Sequence, residues 1–513
     1  MHRLMALRKT SIGDAHATVA VVGLGPVGAL LSGLLGRRGV HVIALERSVD
    51  VFPLPRAAHI DHTGLRAIQE LGCVDQLLAE MIPNPGIDFS TAQLELLHRI
   101  PGDKGSPSGL PASMYFHQPE FDRTLRQALG VLPSVDVRLG AEVTGVELSD
   151  DSVALRLADG GSVTADWAVA CDGASSTLRE ARDIPLDDLG FHADWIVVDL
   201  VLSEPVPSLP DHAVTVCDPR RPLTAIPMPG PRYRFEFMTL PGEDPQLVQS
   251  AEVVERLLEP WVPAGVARIE RAASYTFHGL VAERWREGRM LLAGDAAHQM
   301  PPFLGQGMCS GMRDATNLAW KLDMVARHDA PDSLLDSYET EREPHVRAIV
   351  EAAVELGRIA CVLDPQAAAE RDRAFLADSE AWGRNFDFRL PRLSPGPLVL
   401  PGGGNLFVQP QAHEGVARLD DLVGPRFLVL ARANDALESS ASFWSDQLGA
   451  LVTTLDELPS HGEALRPWLD RRGLDVVVVR PDRYVLGGGE GLDAITDAVR
   501  PALSAKAGCA GGA

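Results

Sequence analysis

Cysteine is scarce in this chain and never paired. The six in 513 residues (Cys73, Cys171, Cys217, Cys309, Cys361 and Cys509) are scattered, with no CxxC among them. That excludes a disulfide framework and a cysteine zinc site; it is the usage of a reducing cytosol, so a cytoplasmic protein is expected. Basic residues are short as well: Lys+Arg 47 stand against Asp+Glu 70, a formal net charge of −23. So acidic a surface argues against nucleic acid or anionic membrane as partner, and an anionic substrate would need a local basic pocket. No apolar run approaches the ~18 uncharged residues of a membrane span. Residues 1–16 lack an apolar core followed by a small-residue cleavage site, and read as a disordered leader.

What is present is a composition ordinary for a globular protein, 45% hydrophobic and 23% charged, and a length that suggests about two to four domains. The most telling stretch is TVAVVGLGPVGALLSGLLGRRGVHVIALE. An apolar strand, Val19–Val22, runs into Gly23-Leu24-Gly25-Pro26-Val27-Gly28 and an apolar helix; a second strand, Val40–Leu45, ends on Glu46. Gly23 permits the tight turn, Gly25 lets the backbone approach a pyrophosphate on a helix N-terminus, and Gly28 lets helix and sheet pack. Glu46 follows Gly28 by 18 residues and can accept both hydroxyls of an adenosine ribose. The pattern predicts dinucleotide binding without separating FAD from NAD.

Along the chain, residues 17–82, 116–186 and 281–384 read as three parts of one nucleotide-binding domain. Residues 83–115, rich in Pro, Gly and Ser, read as loops over the site; 187–280 alternate apolar and polar residues, as an inserted antiparallel substrate sheet does. Helices are expected over Thr63–Leu71, over FHQPEFDRTLRQAL, from about Met308 to Arg327 and over Glu343–Cys361. A Pro/Gly-rich linker, 385–405, leads to a unit at 406–513 that resembles a thioredoxin-like α/β domain. That unit has no cysteine before Cys509, so it reads as a structural or dimer-supporting appendix without redox chemistry.

Two further segments discriminate between cofactors. WAVACDGASSTLR is a strand ending in Asp172-Gly173, for which an ordinary helix cap is an equal reading. In RMLLAGDAAHQMPPFLGQGMCSGMRD a buried strand ends at Gly294-Asp295 and Gly305-Gln306-Gly307 opens a long helix. Asp295 suits a ribityl hydroxyl; the free N–H groups of Gly307 and Met308 suit negative charge on a reduced flavin, which nicotinamide has no use for. Together the three fingerprints resemble those of the FAD-dependent aromatic hydroxylases with the p-hydroxybenzoate hydroxylase fold, over about residues 17–360. PPFLGQGMCSGMRDATNLAWKL and YRFEFMTLPGE look most like the 3-(3-hydroxyphenyl)propionate hydroxylase branch.

The resemblance implies an α/β fold: a Rossmann-like FAD-binding domain, an inserted antiparallel substrate sheet and a C-terminal thioredoxin-like domain. It implies FAD as cofactor, NADH or NADPH as donor, O2 as co-substrate and a small aromatic partner, and it leaves room for a homodimer. By motif, Gly23, Gly25, Pro26, Val27 and Gly28 would hold the pyrophosphate, Glu46 the ribose with Arg47 beside it, and the Val143 backbone the adenine. Arg56 and Gln118 would lie near the ribityl and phosphate region, and Asp172 and Gly173 near both nucleotides. Gly294, Asp295, Pro302, Gly305, Gly307 and Met308 would line the flavin. Many relatives carry Asn where this chain has Cys309.

For the substrate, His59 is the candidate catalytic group, with a packing or backbone-bonded histidine as the competing reading. Tyr233 and Arg234 are candidate substrate contacts, with Tyr275, His278, Arg220, Arg221 and Arg232 behind them. His59-Ile60-Asp61 matches the start of a 2-His-1-carboxylate iron site, but the pair precedes a helix in a Rossmann setting, so no metal is expected. The expected reaction hydroxylates a phenolic acid, such as 3-(3-hydroxyphenyl)propionate, ortho to its hydroxyl. Competing readings are a tailoring oxygenase for polycyclic metabolites, a halogenase (no WxWxIP-like segment is found) and a non-catalytic FAD-binding protein.

Overall fold

The computed structural model describes residues 15–102, 105–378, 389–411, 415–437 and 439–504. Expectations for residues 1–14, 385–388 and Cys509 lie outside these. The first strand, Ala15–Val22, starts earlier than Val19: it pairs from Ala15 with Ser162–Ala170, and His16 meets Asp166 at 3.0 Å.

The apolar runs at both ends of the Gly-rich turn are strands because they are buried on both faces, between helices, where alternation has no use. Ala15–Val22 pairs in parallel with Val42–Glu46 on one side and Ser162–Ala170 on the other. Val135–Leu139 and Met290–Leu292 extend this parallel core, while Val143–Leu148 and Val153–Leu157 branch from it antiparallel and Arg286–Glu287 pairs antiparallel with Met290–Leu292, giving eight strands in all. The helix Pro26–Arg37 packs on it, and Gly307–Arg327 packs on that helix.

A second eight-stranded sheet is built on the long antiparallel pair Leu186–Leu202 and Ala267–Ala282, joined by Arg232–Met238, Leu223–Pro227 and Ala213–Val216. It does not stop at the expected boundary. Gly86–Ser90 and Leu96–Pro101, expected as loops, pair with each other and add Gly86–Ser90 in parallel to Ala213–Val216. The glycines and prolines that suggested looseness sit at the strand ends. There a Cβ on Gly86 would lie 2.4 Å from the Ile100 carbonyl oxygen, so close strand approach demands glycine.

The helix expected over Glu343–Cys361 runs instead from Asp336 to Ala360, straight through Pro344. Tertiary contacts override the proline. Tyr338 Oη donates to the Leu292 carbonyl (2.8 Å), and Glu339 accepts the Trp285 N–H (2.7 Å), fixing the turns ahead of it.

The stretch 389–405 is likewise not a free linker: Leu393, Leu398 and Val399 are buried. Beyond it, Leu451–Thr454, Leu428–Ala431, Val476–Val479 and Val485–Gly489 form a four-stranded sheet in that spatial order. The helix expected near Ser442–Leu448 is one π-helical turn, Phe443–Gln447. This unit shares a core with the rest: Trp320 meets the Phe427 ring edge-on at 5.4 Å, beside Met324 and Leu334. Beneath lies a buried charge cluster. Arg480 reaches Glu341 (2.8 Å) and Asp482 (2.5 Å), and Lys321 reaches Glu341 (2.9 Å). No helix among the described residues is long and apolar enough to cross a membrane.

Burial opposes the charge on Glu341, yet Arg480 and Lys321 hold its carboxyl down at about 2, from an ordinary 4.5. Its folded value is depressed, so its contribution is complete above pH 4.5 and is lost as pH falls toward 2. Arg480→Met leaves two buried carboxylates without their main partner and should cost about 3–5 kcal/mol in urea unfolding at pH 7. The deficit should shrink in acid.

Candidate active site

The Gly-rich turn leaves no choice of residue at two positions. Gly23 has φ +93°, and a Cβ there would lie 2.4 Å from the Cys171 carbonyl oxygen; one on Gly28 would lie 1.9 Å from the Gly23 oxygen. Around Gly25 there is open space, and no side chain caps the helix that begins at Pro26. Glu46 braces the turn, accepting from Leu24 N–H (2.8 Å) and Ser48 N–H (2.9 Å). Arg126 completes the brace: it donates to the Leu24 carbonyl (3.1 Å) and lies 3.7 Å from Glu46. Nothing in the sequence marked Arg126, one arginine in an amphipathic helix. Arg47 is exposed, and Val143 is buried in its strand; neither lines the cavity described next.

One cavity of about 1480 Å³ joins the segments that the sequence kept far apart. Gly25, Pro26 and Val27 lie at its edge, with Arg56, Gln118 and Gly173. Gln118 Oε1 accepts from the N–H groups of Arg56 (2.7 Å) and Ala57 (2.8 Å), so it shapes the wall through backbone. Pro302, Gly305, Gly307 and Met308 line another side. The helix from Gly307 has no side-chain cap, leaving its first N–H groups available.

Asp172 partly fulfils the cap reading. Its Oδ2 accepts the Leu178 N–H (3.3 Å), while Ser176 caps the short helix Thr177–Ala181 through Arg179 N–H (3.1 Å). Asp172 Oδ1 is buried without a partner. Gly294 holds φ +62° ahead of Asp295. Asp295 is enclosed by protein yet open to the cavity, and it makes no hydrogen bond to any described residue. Burial pushes its carboxyl pKa up, against the pull of His298 and Arg56.

The expected substrate groups fare differently. His59 lines the cavity, but both its ring nitrogens are engaged. A carbonyl only accepts, so Nδ1–H donates to Gly305 O (3.0 Å) and Nε2 receives the Ser113 hydroxyl (2.6 Å). Burial lowers its pKa and favours this neutral ring. Its partners make it a holding group for the Gly305 turn.

Tyr233 is not in the cavity at all. Strand alternation turns it to the far face of the sheet, where it donates to the Pro210 carbonyl (3.0 Å) and packs on Phe235. Arg234 does face the cavity but is committed to Asp199 (2.7 Å) and to the carbonyls of Pro55 (2.7 Å) and Arg56 (2.8 Å). It clamps the sheet to the 55–56 loop and has no fork left for a substrate carboxylate. The other arginines are spent elsewhere, Arg220 on Asp218, Arg221 on Glu243, and Arg232 near Glu120 and Glu270, while Tyr275 and His278 do line the cavity. Asp61 caps the helix His62–Leu71 and pairs with Arg313 (2.9 Å), which accounts for the HxD match. Unforeseen in the sequence, Leu406 and Tyr484 of the C-terminal part also line the cavity.

Residues 16–353 match the family described as FAD binding domain, and residues 404–502 the one described as HcaD C-terminal domain. The chain is 37% identical to a probable NADH-specific resorcinol 4-hydroxylase of Rhodococcus jostii (strain RHA1), over 93% of this chain and 92% of that protein. It is 36% identical to a 3-(3-hydroxy-phenyl)propionate/3-hydroxycinnamic acid hydroxylase 2 of Burkholderia vietnamiensis (strain G4 / LMG 22486), over 94% and 96%. The flavin-dependent monooxygenase PieE, solved with FAD and substrate, shares the fold with a TM-score of 0.80 at 21% identity, over 95% of this chain and 100% of its own. The chain belongs to the FAD-dependent aromatic hydroxylases.

The residues of this hydroxylase fit FAD on their own chemistry. Asp295 and the orphaned Asp172 Oδ1 are acceptors awaiting donors, and Gly25 leaves room beside a helix end whose N–H groups are free. Cys309 is buried, and its Sγ accepts the Asp61 N–H (3.4 Å); the helix-end N–H groups do not depend on it. Asp295→Ala should weaken FAD retention by about 1–3 kcal/mol, the worth of a charged hydrogen bond. It removes no bond within the protein, so thermal unfolding of the apoprotein should be unchanged. Fluorescence titration with FAD checks the first, calorimetry the second.

Proposed function

We propose that the protein hydroxylates a phenol that carries a substituent meta to its hydroxyl, at the position ortho to that hydroxyl, using NADH or NADPH and O2. The observation that carries this reading is the single cavity: the Asp295–Met308 wall and one face of the antiparallel sheet line the same space. A volume of about 1480 Å³ exceeds the ~300–1,000 Å³ of an ordinary ligand pocket and suits a cofactor ring plus a substrate. Resorcinol and 3-(3-hydroxyphenyl)propionate, in the names of the two relatives, share the meta-substituted phenol.

FAD, when bound and reduced by the nicotinamide nucleotide, supplies the activation of O2. Asp295 and the Gly-rich turn hold it. Backbone N–H groups at Gly307 and Met308 favour negative charge beside them. Val197, Ile226 and Phe277 give the substrate side an apolar wall that excludes water. His59 fixes the Gly305 turn and thus positions rather than transfers protons. The sheet-bearing region 187–280 acts as the substrate body inserted in the FAD-binding domain. The C-terminal unit is a thioredoxin-like body that closes the cavity and has no redox role.

NADH and NADPH oxidation should accelerate when meta-substituted phenols are added to the FAD-loaded protein. Under 18O2 the product should be an ortho-diol with one labelled oxygen. Oxidation that yields only hydrogen peroxide, for every phenol tried, would reject the reading.

A further inference from the structure

The sheet that bounds the cavity has two faces of opposite character. Alternation sends Tyr233, Phe235 and Phe237 into an apolar cluster with Ile196, Val198 and Val254, and Arg234 and Glu236 to the cavity. Two rungs cross the cavity face. One runs Ile226, Arg234, Asp199, Arg271; the other runs Thr215, Thr224, Glu236, Val197.

The first rung is largely closed on itself; among the described residues only its Arg271 Nε–H lacks a partner, and that atom is buried away from the cavity space. Arg234 is committed as described. Arg271 donates to the Pro55 carbonyl and the Tyr275 hydroxyl and lies 3.4 Å from Asp199. The second rung is open. Glu236 is 7% exposed, yet no donor of the described residues hydrogen-bonds its carboxylate, and the nearest cation, Arg234, stands at 3.8 Å. Beside it the Thr215 and Thr224 hydroxyls share one hydrogen bond of 3.1 Å, which uses one of their two protons and leaves the other to donate. The Glu236 carboxylate opens on the cavity, so a ligand that brings a donor there gains a charged hydrogen bond that no described residue supplies.

We propose that Glu236, with the Thr215–Thr224 pair, binds a second hydroxyl on the substrate ring, so that the protein takes a neutral dihydroxylated phenol in preference to a phenolic acid. This rests on the hydroxylase reading above. A phenolic hydroxyl gives its proton to Glu236 and accepts one from a threonine, satisfying both. An alkyl carboxylate has no proton to give and sets a second negative charge against Glu236, while the arginines of the neighbouring rung are engaged. Burial raises the Glu236 carboxyl pKa, with Asp199 adding to it and Arg234 and Arg271 opposing, and a more basic carboxylate accepts a phenol proton more strongly.

The test is titration of the FAD-loaded protein with resorcinol, 3-methoxyphenol and 3-(3-hydroxyphenyl)propionate, followed by flavin absorbance, in wild type, Glu236→Gln and Glu236→Leu. Wild type should bind resorcinol at least about tenfold tighter than 3-methoxyphenol, which lacks the second proton. Glu236→Leu should level the two, Glu236→Gln should narrow the gap, and the acid should bind wild type worst and gain in both variants. Equal binding of the two neutral phenols by wild type, or tighter binding of the acid, overturns the proposal. So does a resorcinol preference that survives in either variant undiminished; the near-isosteric Glu236→Gln decides this if Glu236→Leu fails to retain FAD. Product analysis run alongside separates the two readings. Hydroxylation without dependence on Glu236 sinks this one alone, and no hydroxylation of any phenol sinks both.

Discussion

The site hangs on one buried carboxylate. Asp314 is fully buried in the helix Gly307–Arg327 and accepts from Gly294 N–H (3.1 Å), His298 Nε2 (2.7 Å) and Arg342 Nε (2.9 Å). Those bonds tie the turn that presents Asp295, the helix whose N-terminus faces the cavity, and the helix Asp336–Ala360 to one point. Burial works against the charge, but His298 and Arg342 outweigh it and hold the carboxyl below its ordinary range. The preceding residue, Arg313, does the same on the opposite side, pairing with Asp61 (2.9 Å) and so fixing the segment that carries His59. Two adjacent residues thus set the distance between two walls, because a buried charge tolerates no loosening of its partners.

Polar groups of this molecule divide by whether their bonds are filled. His59, Arg234 and Gln118 all touch the cavity, and the protein itself occupies their hydrogen-bonding atoms. Asp295 and Glu236 touch the same cavity with carboxylates that lack donors. The first set builds the walls, and the second is where a ligand can gain charged hydrogen bonds, since no donor of the described residues competes for those oxygens. The C-terminal unit belongs to the wall-builders: it shares a core with Trp320 and lends Leu406 and Tyr484 to the cavity.

Much of the cofactor side was legible because it is local. Strand, Gly23-to-Gly28 turn and helix occupy one stretch of chain, and the steric demands on those glycines act over a few residues. Asp295 and the Gly307 helix end are equally local signals. The substrate side was not legible for the opposite reason. Tyr233 and Arg234 are neighbours in sequence, and which of them faces the cavity depends on strand register against Leu186–Leu202. Residues 83–115 read as loops because their glycines and prolines were weighed without the partner strand that makes them necessary. The helix expected from Glu343 begins at Asp336 instead, where contacts of Tyr338 and Glu339 hold the turn ahead of Pro344.

The sequence by itself determined that a dinucleotide-type turn, an acid at the end of a buried strand and a free helix end exist, and so the FAD-dependent hydroxylase family. Short-range backbone sterics and hydrogen-bonding capacity are written residue by residue. Only the tertiary structure decided which polar side chains remain uncommitted in the cavity. Commitment is a property of partners such as Asp199 and the Pro55 carbonyl, which lie far away in the chain and meet Arg234 only after folding.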